Sequence, residues 1–166
     1  YKELNQVLVL NDLDHEIIFV DDGSTDNSLE ELRNIHENDN RVKVIQFRKN
    51  FGQTSAFAAG FDYASGDIIV TLDADGQNNP ADIPRLLEKM DEGDYDFVTG
   101  WRVNRKVTIL RRLLSWVANL IISRSTKVIV HDRGCSLKCL RSDLAKSIQL
   151  YGQLHRFIPE LASAIG

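Results

Sequence analysis

The sequence predicts an α/β fold in which a mostly parallel sheet is flanked by helices. Short apolar runs that are typical of buried strands alternate along the chain with segments of helical periodicity. Each apolar run is followed by turn-forming or charged residues, at the place where a strand would end. This alternation is typical of βαβ units, whose helices cover a parallel sheet.

The predicted elements follow one another at regular intervals. An acidic, turn-rich stretch leads to Asp26, which we expect to cap a helix whose apolar stripe includes Leu29 and Leu32. Pro80 is expected to break the loop before a later helix. The predicted strands cover residues 16–20, 42–47, 68–72 and 95–99, and the predicted helices cover residues 1–10, 26–38, 53–64 and 82–90.

Composition and charge limit the functional class. The chain has 166 residues, of which 43% are hydrophobic and 27% charged, as in one ordinary globular domain. A net charge of −4 argues against nucleic acid as a partner. The stretch 97–131 nevertheless contains seven Lys and Arg residues and lacks Asp and Glu, so the rest of the chain carries −11. This asymmetry predicts an anionic partner for one face.

Two carboxylates follow one predicted strand directly. Asp73 and Asp75 come after the apolar run 68–72, one residue apart. Anions brought together at the edge of a sheet repel each other, and a divalent cation with a preference for oxygen ligands, Mg²⁺ or Mn²⁺, relieves that repulsion. The pair therefore predicts a metal site able to bind a diphosphate.

Other polar motifs are predicted to lie at the same edge. Asp21 and Asp22, the basic stretch 48–50 and Arg102 each come after a predicted strand. In open α/β sheets, ligands bind outside the carboxyl ends of the strands. Acidic and basic groups gathered there are what a metal-bound, phosphate-bearing ligand requires.

Each motif taken alone also fits other interpretations. The stretch 21–24 fits a simple turn before a helix cap, and the stretch 73–76 fits part of a calcium loop. Asp73 and Asp75 also fit a haloacid-dehalogenase-like phosphatase, in which the first Asp is the nucleophile and the second a general acid. Gln77 stands where that phosphatase motif usually has Thr or Val.

Taken together and in order, the motifs resemble family 2 glycosyltransferases of the GT-A, Rossmann-like fold. The resemblance extends to the branch that includes dolichyl-phosphate mannosyltransferase and the bacterial undecaprenyl-phosphate glycosyltransferases. Asn78 and Asn79 depart from the pattern, and the family's first strand is expected before Tyr1, so the fold is expected to lack that strand. The motifs lie at residues 16–26, 50–53, 67–77, 100–102, 131–138 and 155–159.

The resemblance implies a role for each matching residue. Asp21 and Asp22, with Asp73, would bind the nucleotide-sugar, while Asp75, assisted by Asp73 and Gln77, would bind Mg²⁺ or Mn²⁺. Asp73, Asp75 and Arg102 would form the catalytic set. A phosphate acceptor is already ionised near pH 7, so it needs cations more than a general base. The candidate acceptor-phosphate residues are Arg102, Arg105, Lys106, Arg133, Lys138 and Arg141.

The implied reaction is inverting transfer of a hexose from a UDP- or GDP-sugar to a polyprenyl (undecaprenyl or dolichyl) phosphate at the cytoplasmic face of a membrane. The stretch 108–130 has apolar residues at helical spacing with basic residues beside them, which predicts an interfacial amphipathic helix. A helix packed on the core with a basic outer face is the alternative. Residues 1–166 are interpreted as one truncated catalytic domain. A non-catalytic fragment that only binds a nucleotide-sugar is the alternative, and assembly into a homo-oligomer is left open.

Overall fold

The computed structural model describes residues 1–102, 128, 130 and 132–165. Its helices are α1 (Lys2–Leu10), α2 (Ser28–Asn38), α3 (Gln53–Tyr63), α4 (Ile83–Glu92), α5 (Ser142–Ser147) and α6 (Ile158–Ile165). Its strands are β1 (Ile17–Asp21), β2 (Val42–Gln46), β3 (Ile68–Thr71), β4 (Phe97–Thr99) and β5 (Lys138–Arg141). Short 3₁₀ turns cover Pro80–Asp82 and Leu154–Phe157.

The four predicted strands and four predicted helices are all present. Strand β1 begins one residue later than predicted and includes Asp21. Helix α2 begins at Ser28, two residues later than predicted, because Asp26 accepts the backbone N–H of Ser28 instead of capping as the residue before the helix. The α/β class is therefore confirmed, and these eight elements follow the predicted order and differ only at their ends. The sequence pattern assigned no bounds to β5, α5 or α6.

The described strands form two sheets, β1–β2 and β3–β5–β4, and the second sheet has a strand direction that the sequence pattern did not indicate. Strands β1 and β2 pair in parallel, as expected. Strand β5 lies between β3 and β4 and is antiparallel to both. Its first residue, Lys138, therefore lies opposite the last residues of its neighbours, Thr71 and Thr99.

Apolar residues of β3 and β5 pack on both faces of the sheet. Cys139 belongs to a buried cluster with Met90 of α4, whereas its neighbour Leu140 belongs to a second cluster with Phe61 of α3. Successive strand residues point to opposite faces, so one strand can serve two cores. Burial raises the pKa of the Cys139 thiol to about 12, consistent with a packing role.

Candidate active site

The antiparallel register of β5 brings three chain segments to one edge of the sheet. Strands β3 and β4 end there at Thr71 and Thr99, and β5 begins there at Lys138. The loop after β3 therefore meets both the loop after β4 and the segment that precedes β5. The backbone N–H of Gly100 donates to Leu137 O at 2.9 Å, which joins two of these segments.

The loop after β1 is tied to the start of α3 by Asp22. Its carboxylate accepts the backbone N–H groups of Phe51 at 2.6 Å and Gly52 at 2.9 Å. A carboxylate at a helix N-terminus is also favoured by the helix dipole. Asp21 is buried and accepts the N–H of Ser24 at 3.3 Å. Both carboxylates thus shape the loop before any ligand binds.

Gly23 allows the loop after β1 to pass close to the loop after β2. Its φ is +77°, and a Cβ atom there would lie 2.7 Å from Lys49 C and 2.8 Å from Asn50 N. The two loops border an open depression of about 380 Å³, lined by Asp22, Gly23, Ser24, Thr25, Asp26 and Asn50. Its lining is mostly polar.

The first residue of α3 links this region to residues 72–79, the loop after β3, which we call the metal loop for its predicted role. Gln53 Nε2 donates to Asp73 Oδ1 at 2.8 Å. Asp22 contacts Phe51 and Gly52, directly before Gln53. The acidic groups after β1 and β3 are therefore joined through one short stretch of chain, and the predicted co-location of these motifs is observed.

The residues predicted to bind a metal offer suitable atoms. Asp73 is partly buried, whereas Asp75 and Gln77 are exposed, and Asp75 Oδ1 accepts the N–H of Gln77 at 3.0 Å. In the described part of the chain, no three His, Cys, Asp or Glu side chains cluster as a complete metal site would require. One or two carboxylates fit Mg²⁺ or Mn²⁺ when diphosphate oxygens and water complete the shell.

Arg102 lies at the same edge in a two-point contact with Asp132. Its Nε and Nη2 donate to the two carboxylate oxygens of Asp132 at 2.8 and 3.0 Å. This hydrogen bonding raises the pKa of Arg102, so its charge is permanent. A fork held in this way has a fixed direction, which suits a phosphate-binding cation.

Lys138 is a buried cation behind the metal loop. Its side chain is almost inaccessible, and Nζ donates to the carbonyl oxygen of Cys135. Burial lowers the pKa of Lys138, while the charges of Asp73 and Asp132 oppose that shift. Lys138 is thus too buried to contact an acceptor phosphate at the surface, which corrects the sequence prediction for this residue.

Two predicted acceptor residues lie elsewhere. Arg133 is buried and donates through Nε to Glu160 of α6 at 2.5 Å, so its guanidinium is committed to the protein interior. Arg141 ends β5, about 10 Å along the strand from Lys138, where it pairs with Asp94 and Asp96. These two contacts correct the sequence prediction: neither arginine joins Arg102 at the site edge.

Other predicted features lie outside the described residues. Arg105, Lys106 and nearly all of the predicted amphipathic helix 108–130 belong to that part of the chain. In the described parts, no helix combines the length and apolar character that crossing a bilayer requires.

Comparison with known proteins places this arrangement in a family. The family model for glycosyl transferase family 2 matches residues 2–148, most of the chain. The chain belongs to glycosyltransferase family 2. This confirms the resemblance inferred from the motifs, and the acidic loops after β1 and β3 belong to a glycosyltransferase domain.

Curated relatives of this family 2 chain act on polyprenyl phosphates, as their names state. It is 43% identical over 152 residues to dodecaprenyl-phosphate galacturonate synthase of Rhizobium johnstonii, covering 90% of this chain and 45% of the relative. It is 42% identical to undecaprenyl-phosphate 4-deoxy-4-formamido-L-arabinose transferases of Pseudomonas paraeruginosa, over 89% of this chain and 44% of the relative, and of Yersinia pestis, over 90% and 46%. The chain thus spans less than half the length of these relatives.

A solved structure confirms the GT-A fold of this family 2 domain. Glucosyl-3-phosphoglycerate synthase from Mycobacterium tuberculosis, solved with Mn²⁺, UDP-glucose and phosphoglyceric acid, aligns with a TM-score of 0.59. The alignment covers 80% of this chain and 47% of the solved chain at 22% identity. At that identity the likeness shows the fold, and it confirms the α/β class predicted from the sequence.

The family 2 site includes residues to which sequence reasoning gave no role. Gln53, Asp132 and Ser136 each contact a predicted site residue. All three lie inside the motifs at residues 50–53 and 131–138 that carry the family resemblance. Their polar character was visible, but their partners were not, because β5 and the segment before it reach the site only through the antiparallel register.

Proposed function

We propose that the full-length protein transfers a sugar from a nucleotide-diphosphate sugar to a polyprenyl phosphate, and that residues 1–166 form its catalytic GT-A domain. The observation that carries the proposal is the linkage of Asp22, Asp73 and Arg102: the start of α3 connects the first two, and the segment before β5 connects the last two. The shared acceptor chemistry in the relatives' names supports the lipid phosphate.

The donor would bind across the loops after β1 and β3. Its nucleoside would occupy the depression beside Gly23, where Asp21 and Asp22 shape the wall. Asp73, held by Gln53, would face the ribose or sugar. The relatives' names include a uronic acid and a derivative of arabinose, a pentose, so the expectation of a hexose widens to a sugar of either size.

Asp75 would be the principal ligand of Mg²⁺ or Mn²⁺, with Asp73 and Gln77 assisting. A bound divalent cation neutralises charge on the donor diphosphate and makes it a better leaving group. Asp75 is exposed on the loop, where its carboxylate can bind a cation that carries a diphosphate from solvent. The backbone N–H of Gln77 donates to Asp75 Oδ1 at 3.0 Å and orients that carboxylate.

The acceptor phosphate would be oriented by Arg102 at the site edge. Its oxygen would attack the anomeric carbon on the face opposite the leaving diphosphate, which inverts the configuration. Phosphate has a second pKa of about 6, so it is a nucleophile near pH 7 without a strong general base. Arg105 and Lys106 would add positive charge nearby, and Lys138 would act on the acidic loop from within.

The lipid part of the acceptor requires that this edge lie against a membrane. We assign that contact to the stretch 108–130, with its basic and apolar residues, and place the domain on the cytoplasmic side. This placement is consistent with an anionic cytoplasmic leaflet attracting the basic stretch.

Asp75→Ala in the full-length protein tests the assignment. With polyprenyl phosphate in vesicles and Mn²⁺, we expect sugar transfer to fall more than about 100-fold. Mutation of residues that only hydrogen-bond to metal ligands already lowers activity by about 10- to 100-fold, and loss of a ligand should lower it further. Asp62→Ala, which removes an exposed carboxylate from α3, is the matched control and should retain activity. Near-normal transfer by Asp75→Ala would contradict the metal assignment.

A thermal-shift panel of UDP- and GDP-sugars with and without Mn²⁺ would identify the donor. We expect one nucleotide class to raise Tm, and to do so more strongly with Mn²⁺, because ligands that bind the folded state stabilise it. Donor binding without transfer would identify a non-catalytic module. Release of phosphate from simple monoesters would support the phosphatase interpretation instead.

A further inference from the structure

The hydroxyl of Ser136 lies buried beneath the metal loop. Ser136 Oγ accepts the backbone N–H of Asp73 at 3.2 Å and the side-chain amide of Asn78 at 2.8 Å. Ser136 is 4% exposed, and its carbonyl oxygen accepts Thr71 Oγ1 at 2.5 Å. One residue of the segment before β5 therefore holds the end of β3 and both ends of the loop that follows.

Asn78 closes the loop on its far side. Its amide nitrogen donates to Ser136, and its amide oxygen lies 3.5 Å from Cys135 Sγ. Asp75 and Gln77 lie between the two anchor points, Asp73 and Asn78, on the exposed part of the loop. The loop is thus fixed at its ends and open at its tip.

We propose that Ser136 and Asn78 are positioning residues for the metal loop, and this proposal rests on the function proposed above. Neither residue is assigned to the donor or to the reacting atoms. Each acts through the loop backbone, which sets the separation and direction of the carboxylates of Asp73 and Asp75.

The physical reason is charge repulsion within the loop. Two carboxylates that share a cation must be brought together before the cation binds, and an unanchored loop would let them separate. Hydrogen bonds to Ser136, which is buried in the segment before β5, oppose that separation in advance. Outer-shell partners of metal ligands typically contribute about 10- to 100-fold to metal affinity.

The buried position of Ser136 also makes its hydrogen bonds difficult to replace. With Oγ removed, the Asp73 N–H and the Asn78 amide lose an acceptor in a place that water reaches poorly. The loop would then adopt other conformations to satisfy these groups. We expect these other loop conformations to lower metal affinity more than they lower the stability of the fold.

The test measures Mn²⁺ binding to the full-length protein by electron paramagnetic resonance, with UDP and with GDP as the added nucleotide. For Ser136→Ala and Asn78→Ala we expect the half-saturating Mn²⁺ concentration to rise about 10- to 100-fold. Hydrogen exchange of the metal-free protein should also become faster at residues 72–79. Ser147→Ala and Asn38→Ala remove matched groups from α5 and α2 and should change neither measurement.

The outcomes separate the two proposals. If Asp75→Ala abolishes Mn²⁺ binding while Ser136→Ala and Asn78→Ala bind normally, the positioning role is wrong and the proposed function stands. If Asp75→Ala binds Mn²⁺ as the wild type does, the proposed metal site itself is wrong. Should Ser136→Ala fail to fold, Asn78→Ala decides alone, because Asn78 is only partly buried in a loop.

Discussion

The side chains of Arg102 and Asp132 are 17% and 12% exposed, so water screens their ion pair only in part. The pair leaves the guanidinium charged and fixed at the site edge while part of it still faces solvent. A cation prepared in this way can accept a second anion with little loss of side-chain entropy. Arg102 is therefore the described cation to which we assign the acceptor phosphate.

Arg102→Ala should lower kcat/KM for the acceptor by about 10- to 100-fold, since a hydrogen bond to a charged group contributes about 1.5–3 kcal/mol. The measurement is a titration of polyprenyl phosphate at saturating donor. Unchanged acceptor kinetics would show that Arg102 does not contact the reacting phosphate.

Arg141→Ala is the control for that experiment. It removes the same charge from the other end of β5, where the partners Asp94 and Asp96 are exposed. Exposed ion pairs contribute about 0–1 kcal/mol, so the variant should fold. Its acceptor kinetics should match those of the wild type, and a loss equal to that of Arg102→Ala would point to a general effect of charge.

At the scale of elements, the site depends on how closely its loops approach one another. The loop after β1 packs on the loop after β2 at Gly23, and α3 begins where that second loop ends. Side chains on α3 then contact the metal loop and the 3₁₀ turn at Leu154–Phe157 through Gln53 and Thr54. Helix α3 is thus the element that joins the separate parts of the site.

Gly23→Ala should lower the free energy of unfolding by more than the cost of placing alanine in a left-handed backbone conformation. A Cβ in that conformation costs about 1–2 kcal/mol, and here it would also collide with the backbone of Lys49 and Asn50. Gly152→Ala is the control, because φ there is +58° and a Cβ would meet no atom within 4 Å. Urea unfolding measures both, and equal losses would contradict the packing argument.

His155 gives the contact between α3 and the 3₁₀ turn a pH dependence. Its Nδ1 lies 2.7 Å from Thr54 Oγ1, and its ring stacks on Phe57. Burial lowers the pKa of His155 below its usual 6.5, with a further contribution from Arg156. The unfolded state therefore binds the proton more readily, and the free energy of unfolding decreases as pH falls through about 6.5.

His155→Gln should make that pH dependence shallower between pH 7 and pH 5. The measurement is the free energy of unfolding in urea at several pH values. Above pH 8 the side chain at position 155 is neutral in the wild type and in the variant. The plots of unfolding free energy against pH should therefore run parallel there. An identical slope for the variant and the wild type at low pH would contradict the assignment.

Most helices and strands were predictable from the sequence, but the tertiary contacts of several site residues were not. Strands β1 to β4 were predictable because each is an apolar run bounded by turn residues, and Asp73 and Asp75 were predictable because they follow such a run. Strand β5, with Lys138 and Arg141 at its ends, has no such pattern, and its direction depends on its neighbours. The burial of Arg133 against Glu160 depends on the same tertiary contacts.

At the scale of the whole molecule, the basic stretch after β4 is expected to face a membrane. Arg111→Glu combined with Arg112→Glu should weaken binding of the 166-residue chain to anionic vesicles by at least about 10-fold. The reason is that each basic residue near an anionic membrane surface contributes about 1 kcal/mol to binding. Co-sedimentation measures the effect. The matched control is Arg85→Glu with Lys89→Glu on α4, where both side chains are exposed.

Unchanged co-sedimentation of the Arg111 and Arg112 variant would favour the core-packed helix. Equal losses in both variants would indicate attraction by net charge rather than by one face. Loss confined to the Arg111 and Arg112 variant would support the membrane contact.

The hydrogen bond between Ser136 and Asp73 also has a consequence for the order of folding. The two residues are 63 positions apart, and β5 must insert between β3 and β4 before Ser136 can reach the loop. During synthesis the acidic loop emerges long before its anchor, and contacts between distant segments form slowly because the intervening chain must close first. If the proposed metal site is right, its cation binding therefore depends on a contact that forms only after β5 has paired with β3.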